Sequence, residues 1–181
     1  MDRRRIFRMV SAALFLALAY VLPFLTGQIP EIGSMLCPMH IPVLLCGFVC
    51  GPWWGAAVGL IVPLFRSVTM GMPPLFPTAV CMAAELAVYG FAAGWLHRLL
   101  PARRVFLYVS LLSAMVLGRL VWGGATLLAV GVRGFGLSAF FAGAVLNALP
   151  GIVLQILLIP VIVMVLQRLP AVKQCMGRDK R

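Results

Sequence analysis

Glu85, Arg119 and Asn147 are the residues of this chain best suited to chemistry, because each interrupts a run of almost pure hydrocarbon. An ionised side chain inside lipid costs several kcal/mol and marks a functional position by default. A guanidinium presents a planar fork to a carboxylate or phosphate. A carboxamide both donates and accepts, which suits hydroxyl and amide groups. Together these types describe a binding pocket for a small polar molecule, opening toward the outside of the cell. Arg66 and His40 fall nearer the outer mouth, His40 either as a ligand contact or as a helix cap. If Arg66 and Arg119 outweigh Glu85, the pocket is net positive and suits an anionic ligand. Trp122, Tyr89 and Trp95 flank these positions, and Trp122, nearly a turn outward of Arg119, is the best candidate for a ligand wall. The alternative is an ion pair between Glu85 and Arg119 that only staples two helices together. No HExxH, GxSxG or paired intramembrane Asp is present, and neither Lys173 nor Lys180 follows a glycine as a P-loop requires. The chain is therefore read as a non-enzyme, without catalytic residues, cofactor or ATP site of its own.

The elements that position these residues follow from composition. The 181 residues are 63% hydrophobic and only 10% charged, where a soluble domain carries about 25% charged residues. Mean hydropathy is +1.08. A helical span takes roughly 20 apolar residues. The expected fold is an all-α integral membrane protein, a single bundle of six transmembrane helices over 1–181. The spans fall at about 6–26, 35–51, 53–68, 78–96, 105–130 and 137–166, followed by a basic tail, 167–181. Pro38 and Pro42 break the short second span, and Pro150 and Pro160 kink the sixth. Trp53 and Trp54 make an interfacial anchor. At 1.5 Å per residue, Glu85, Arg119 and Asn147 lie about 8, 11 and 10 residues from the outer ends of spans 4, 5 and 6, a similar depth. Gln155 falls deeper, toward the cytoplasm.

Charge sets the topology. Lys+Arg number 15 against 4 Asp+Glu. The basic residues cluster at the N-terminus (Arg3, Arg4, Arg5, Arg8), in the loop of Arg98, Arg103 and Arg104, and at the C-terminus. Both termini are then cytoplasmic by the positive-inside rule, and the excess charge signals membrane orientation rather than nucleic acid. The five cysteines form no CxxC pair. Cys46 and Cys50, at i and i+4, are read as small buried hydrophobes, not as a metal site or a disulfide. Ala13 and Ala17 form a small-xxx-small stripe on span 1, of the kind that lets another helix approach closely.

With these features assembled, the chain resembles the substrate-binding S components of energy-coupling factor (ECF) vitamin transporters. The segments that carry the likeness are Pro38 to Pro52 (PMHIPVLLCGFVCGP), Gly71 to Pro77 (GMPPLFP), Glu85 to Gly90 (ELAVYG), Gly118 to Gly123 (GRLVWG) and Asn147 to Gly151 (NALPG). The resemblance covers nearly the whole chain through the order and spacing of these motifs. It implies a six-helix subunit working with a transmembrane coupling subunit and two ATPases. Substrate is then captured from outside by the outer loops and spans 4 to 6, and released inside as the subunit topples. It also implies that the Ala13 and Ala17 face meets the coupling subunit. The pattern is most similar to pantothenate-type S components, with riboflavin, folate, biotin, thiamine, pyridoxine or a queuosine precursor as other substrates. Three other readings differ in class: a soft-metal uptake component using Met35, Cys37, Met39, His40, Met70, Met72, Cys81 and Met82; a self-sufficient proton-coupled transporter using Glu85; and a structural membrane subunit that binds no small molecule.

Overall fold

A computed structural model describes residues 3–26, 36–101, 103–131, 148–170 and 172. Among the described residues all regular structure is helical, in six α-helices: α1 (Arg3–Val21), α2 (His40–Cys50), α3 (Pro52–Met70), α4 (Val80–Leu99), α5 (Arg104–Val130) and α6 (Leu149–Leu166). Short helical turns at Leu22–Thr26 and Leu75–Ala79 extend α1 and precede α4. Five segments, Arg3–Phe24, Pro52–Met70, Leu75–Leu99, Arg104–Val130 and Leu149–Leu166, are long and apolar enough to cross a membrane. The loop over 27–34, Asn147, the first part of the expected sixth span and most of the basic tail lie outside the described residues.

The expected second span is the exception in length. α2 has 11 residues, about 16 Å at 1.5 Å per residue, roughly half the hydrocarbon thickness of a bilayer. All 11 are buried, because α1, α3, α4 and α6 all pack against this helix. Pro42 does not break it. Pro42 is the third residue of α2, where its missing N–H is one that no helix satisfies internally. Pro150, expected to kink the sixth span, is instead the second residue of α6, and only Pro160 lies inside that helix. Pro52 opens α3 in the same way, the position proline favours.

Glycine brings α2, α3 and α4 together. A Cβ added at Gly55 of α3 would lie 2.6 Å from the carbonyl oxygen of Gly90 on α4 and 2.7 Å from the Cα of Gly47 on α2. One at Gly94 would lie 2.6 Å from the Pro52 nitrogen. The three backbones therefore touch directly, with no side chain between them. α5 packs on the other side of α4.

Helix directions place the basic residues at one end. Arg98, at the end of α4, donates to the carbonyl of Cys50, the last residue of α2, at 3.3 Å. His97 pairs with Gln167, just past α6, at 3.2 Å between Nε2 atoms. Arg3, Arg4, Arg5 and Arg8 begin α1, and Arg103 and Arg104 begin α5. At the opposite end, the Tyr20 hydroxyl near the end of α1 meets the Thr69 hydroxyl near the end of α3 at 3.1 Å. Trp53, Phe91 and Trp95 form an outward-facing aromatic row, with centroids 5.3 Å and 6.3 Å apart.

Candidate functional site

Glu85 is the sixth residue of α4 and its side chain points inward, 1% exposed. The Oε1 atom lies 3.1 Å from Nη1 of Arg119 on α5 and 3.5 Å from Nε2 of His40, the first residue of α2. A single carboxylate oxygen thus sits between a guanidinium and an imidazole. Arg119 also donates through Nη2 to the Cys37 sulfur at 3.7 Å. Tyr89, one turn along α4 from Glu85, stacks edge-on against His40 with ring centroids 5.2 Å apart. The tyrosine ring fits because α5 carries glycine opposite: a Cβ at Gly118 would come within 3.0 Å of it. Three helices therefore contribute one polar cluster: Cys37 and His40 from the start of α2, Glu85 and Tyr89 from α4, and Arg119 from α5.

Much of the hydrogen-bonding capacity of this cluster is unused. Neither ring nitrogen of His40 has a hydrogen bond, nor does Nε of Arg119. His40 is 2% exposed. Buried polar atoms in folded proteins nearly always have partners, so donors and acceptors left open together nominate this cluster as the candidate site. α2 begins at this level, its first N–H, that of His40, donating to the Cys37 carbonyl at 3.0 Å, and the positive end of its dipole favours the carboxylate there.

The site residues expected from the sequence divide unevenly. The structure brings together Glu85, Arg119, His40 and Tyr89. His40 stands beside Glu85 rather than at the mouth, and makes no capping hydrogen bond. Arg66 goes elsewhere: its Nη1 donates to the Tyr20 carbonyl at 2.9 Å and its guanidinium lies 5.0 Å from the Phe24 ring centre. It closes the end of α1 instead of adding charge beside Arg119. The cluster is consequently not net positive through Arg66, and Glu85 balances Arg119. Trp122 is half-buried, one turn along α5 from Arg119, and its carbonyl accepts from the Thr126 hydroxyl at 2.7 Å. Trp95 faces outward, 51% exposed, with Phe91. Asn147 is outside the described residues. Ala13 and Ala17 face away from the bundle, while Ala12, Phe15 and Ala19 of the same helix are buried in it.

Cys37, which enters the sequence reading only through the soft-metal alternative, joins the cluster through Arg119. Its spacing from His40, one turn, is the signal that ties the two together. Cys46 and Cys50 are buried in α2. Among the described residues no group of three or more His, Cys, Asp or Glu side chains could hold a metal ion, and Arg119 beside Cys37 would repel one.

No curated protein and no solved structure matches the chain. Residues 7–163 match the family described as ECF transporter, substrate-specific component. That match takes in every residue of the Glu85 cluster and all but the ends of the six helices. Members of this family are subunits that confer transport specificity rather than enzymes, which implies a small-molecule substrate and partnership with coupling and ATPase subunits. Together with the five long apolar helices, the match makes this a multi-pass protein of the cell membrane. The chain belongs to the substrate-specific component family of ECF transporters.

Proposed function

We propose that this chain is the high-affinity substrate-binding subunit of an ATP-driven importer for a small polar vitamin, with pantothenate the first candidate. The observation that carries this reading is the sharing of Glu85 Oε1 by Arg119 and His40 in a largely buried cluster with unused hydrogen bonds. A carboxylate-bearing ligand has two routes to Arg119: it can displace Glu85, or it can add at the unpartnered Nε. Hydroxyl and amide groups suit His40 and Asn147, and Trp122 suits an apolar flank. Another vitamin or a queuosine precursor would use the same donors and acceptors.

The basic end belongs in the cytoplasm by the positive-inside rule, with both termini there and α2 counted as the sixth, incomplete span. The Glu85 level then lies toward the outside. The outward face of α1 carrying Ala13 and Ala17 is the docking face for the coupling subunit, since small residues admit a close helix.

One arrangement favours a second reading. Glu85, 3.5 Å from His40 Nε2, could pass a proton, as a self-sufficient proton-coupled transporter requires. Uptake in vesicles that hold this chain without any ATPase would support that reading, and dependence on ATP and the partner subunits would exclude it.

The direct test is thermal stabilisation of the detergent-purified chain by pantothenate, riboflavin, thiamine, biotin, pyridoxine and folate, repeated with Arg119→Ala. The expected outcome is a shift of several degrees with one carboxylate-bearing vitamin, lost in the variant while the variant still melts cooperatively. Equal loss of folding in Arg119→Ala would instead identify the Glu85–Arg119 pair as a staple between α4 and α5. Removal of one partner from a buried pair costs about 3–5 kcal/mol, because the other charge, here Glu85 with 2% of its side chain exposed, is left without its counterion.

A further inference from the structure

We propose that Gln155 on α6 is a substrate-binding residue, whose amide oxygen accepts a hydrogen bond from a hydroxyl or amide N–H of the ligand. The inference rests on the reading of the Glu85 level as the substrate site.

Sequence counting from the outer ends puts Gln155 deeper than Glu85, whereas counting from a contact in the structure puts the two at one level. The contact between His97 and Gln167 pins α4 to α6 near the basic end. Both helices run toward that end. Glu85 precedes His97 by as many residues as Gln155 precedes Gln167, and the rise of 1.5 Å per residue puts each about 18 Å above the contact. Gln155 also faces inward. It lies on the stripe Gly151, Gln155, Ile159, Val163, all buried, and Ile159 and Val163 belong to the hydrophobic core. Its side chain is 1% exposed, and Oε1 has no hydrogen-bond partner.

A glutamine kept for structure would have its carbonyl oxygen satisfied, since an unpaired buried acceptor opposes folding. The remaining use for an inward acceptor, level with unpartnered donors on Arg119 and His40, is a donor that arrives with the ligand. The chemistry of that donor is narrow. Oε1 cannot pair with an ionised carboxylate or phosphate oxygen, so this acceptor takes a hydroxyl or N–H of the substrate while Arg119 takes any acidic portion.

The prediction separates function from structure by sign. Gln155→Met keeps the length of the side chain and removes the acceptor. Gln155→Asn keeps the amide and withdraws it by one methylene. Without ligand, Gln155→Met should melt no lower than the unaltered chain, and up to about 2–4 °C higher for a chain of this size. With pantothenate as probe, or whichever of the six vitamins stabilises the unaltered chain, both variants should bind about tenfold more weakly, the loss of one hydrogen bond. A lower ligand-free melting temperature for Gln155→Met overturns the inference, because the amide then already has a partner. Full affinity in both variants overturns it as well. No response of the unaltered chain to any vitamin overturns the vitamin reading and takes this inference with it, whereas a response that both variants keep overturns this inference alone.

Discussion

Along α4, from Glu85 to Gly94, two kinds of interior meet. Gly90 and Gly94 press their backbones against α2 and α3, with Gly47 and Gly55 as counterparts. Glu85 and Tyr89 instead face a guanidinium, a thiol and an imidazole whose hydrogen bonds are partly unmade. The glycine seam spends nothing on side chains and gains close backbone packing, so it fixes the three helices relative to one another. The polar cluster tolerates unsatisfied atoms that destabilise the fold. The first region supplies the rigidity that lets the second stay unsatisfied without collapsing.

The largest expected effect comes from breaking the seam. Gly90→Val would drive a branched side chain into the Gly55 backbone, which cannot move aside. Overpacking at such a contact should cost at least about 3 kcal/mol. The expected outcome is loss of the cooperative melting transition and of monodisperse elution in detergent. A normal melt would mean the seam is looser than its geometry. Next in size is Ala13→Trp or Ala17→Trp on the outward face of α1. The fold and vitamin binding should be unaffected, and uptake with the partner subunits should fall by tenfold or more. If uptake persists in both, the docking face is elsewhere. The smallest effect belongs to Arg66→Ala. Its loss opens the end of α1 and should lower the melting temperature by about 2–4 °C, with ligand affinity unchanged. A matching loss of affinity would return Arg66 to the binding cluster.

Legibility in the sequence followed what hydropathy can encode. Apolar runs and basic loops gave the helices and the common end of the arginines, and the isolated charges Glu85 and Arg119 announced the cluster. Depth was readable to within a turn where a helix had clear ends, as for those two. It failed for His40, because the start of α2 was hidden among Cys37, Pro38 and Met39. Rotation about the helix axis was less readable still. Arg66 has the same side chain as Arg119 and occupies an equally apolar helix, yet it turns to the Tyr20 carbonyl because α1 ends beside it. That contact joins residues 46 apart in the chain, and periodicity within one helix carries no trace of it. The prolines misled for a related reason. Pro42 reads as a break in the short second span and Pro150 as a kink in the sixth, but those helices start beside them.

The short, wholly enclosed α2 has a consequence for passage. Among the described residues this helix spans from the Glu85 level to the basic end, running from His40 beside Glu85 to Cys50 beside Arg98. Its flanks are sealed by glycine backbone contacts on α3 and α4 and by the core side chains of α1 and α6. To dilate that seal means parting whole backbones, not rotating a few side chains. Among the described residues the bundle therefore has the character of a stoppered vessel rather than a conduit, and on the proposed function cargo at the Glu85 level would cross by reorientation of the vessel itself.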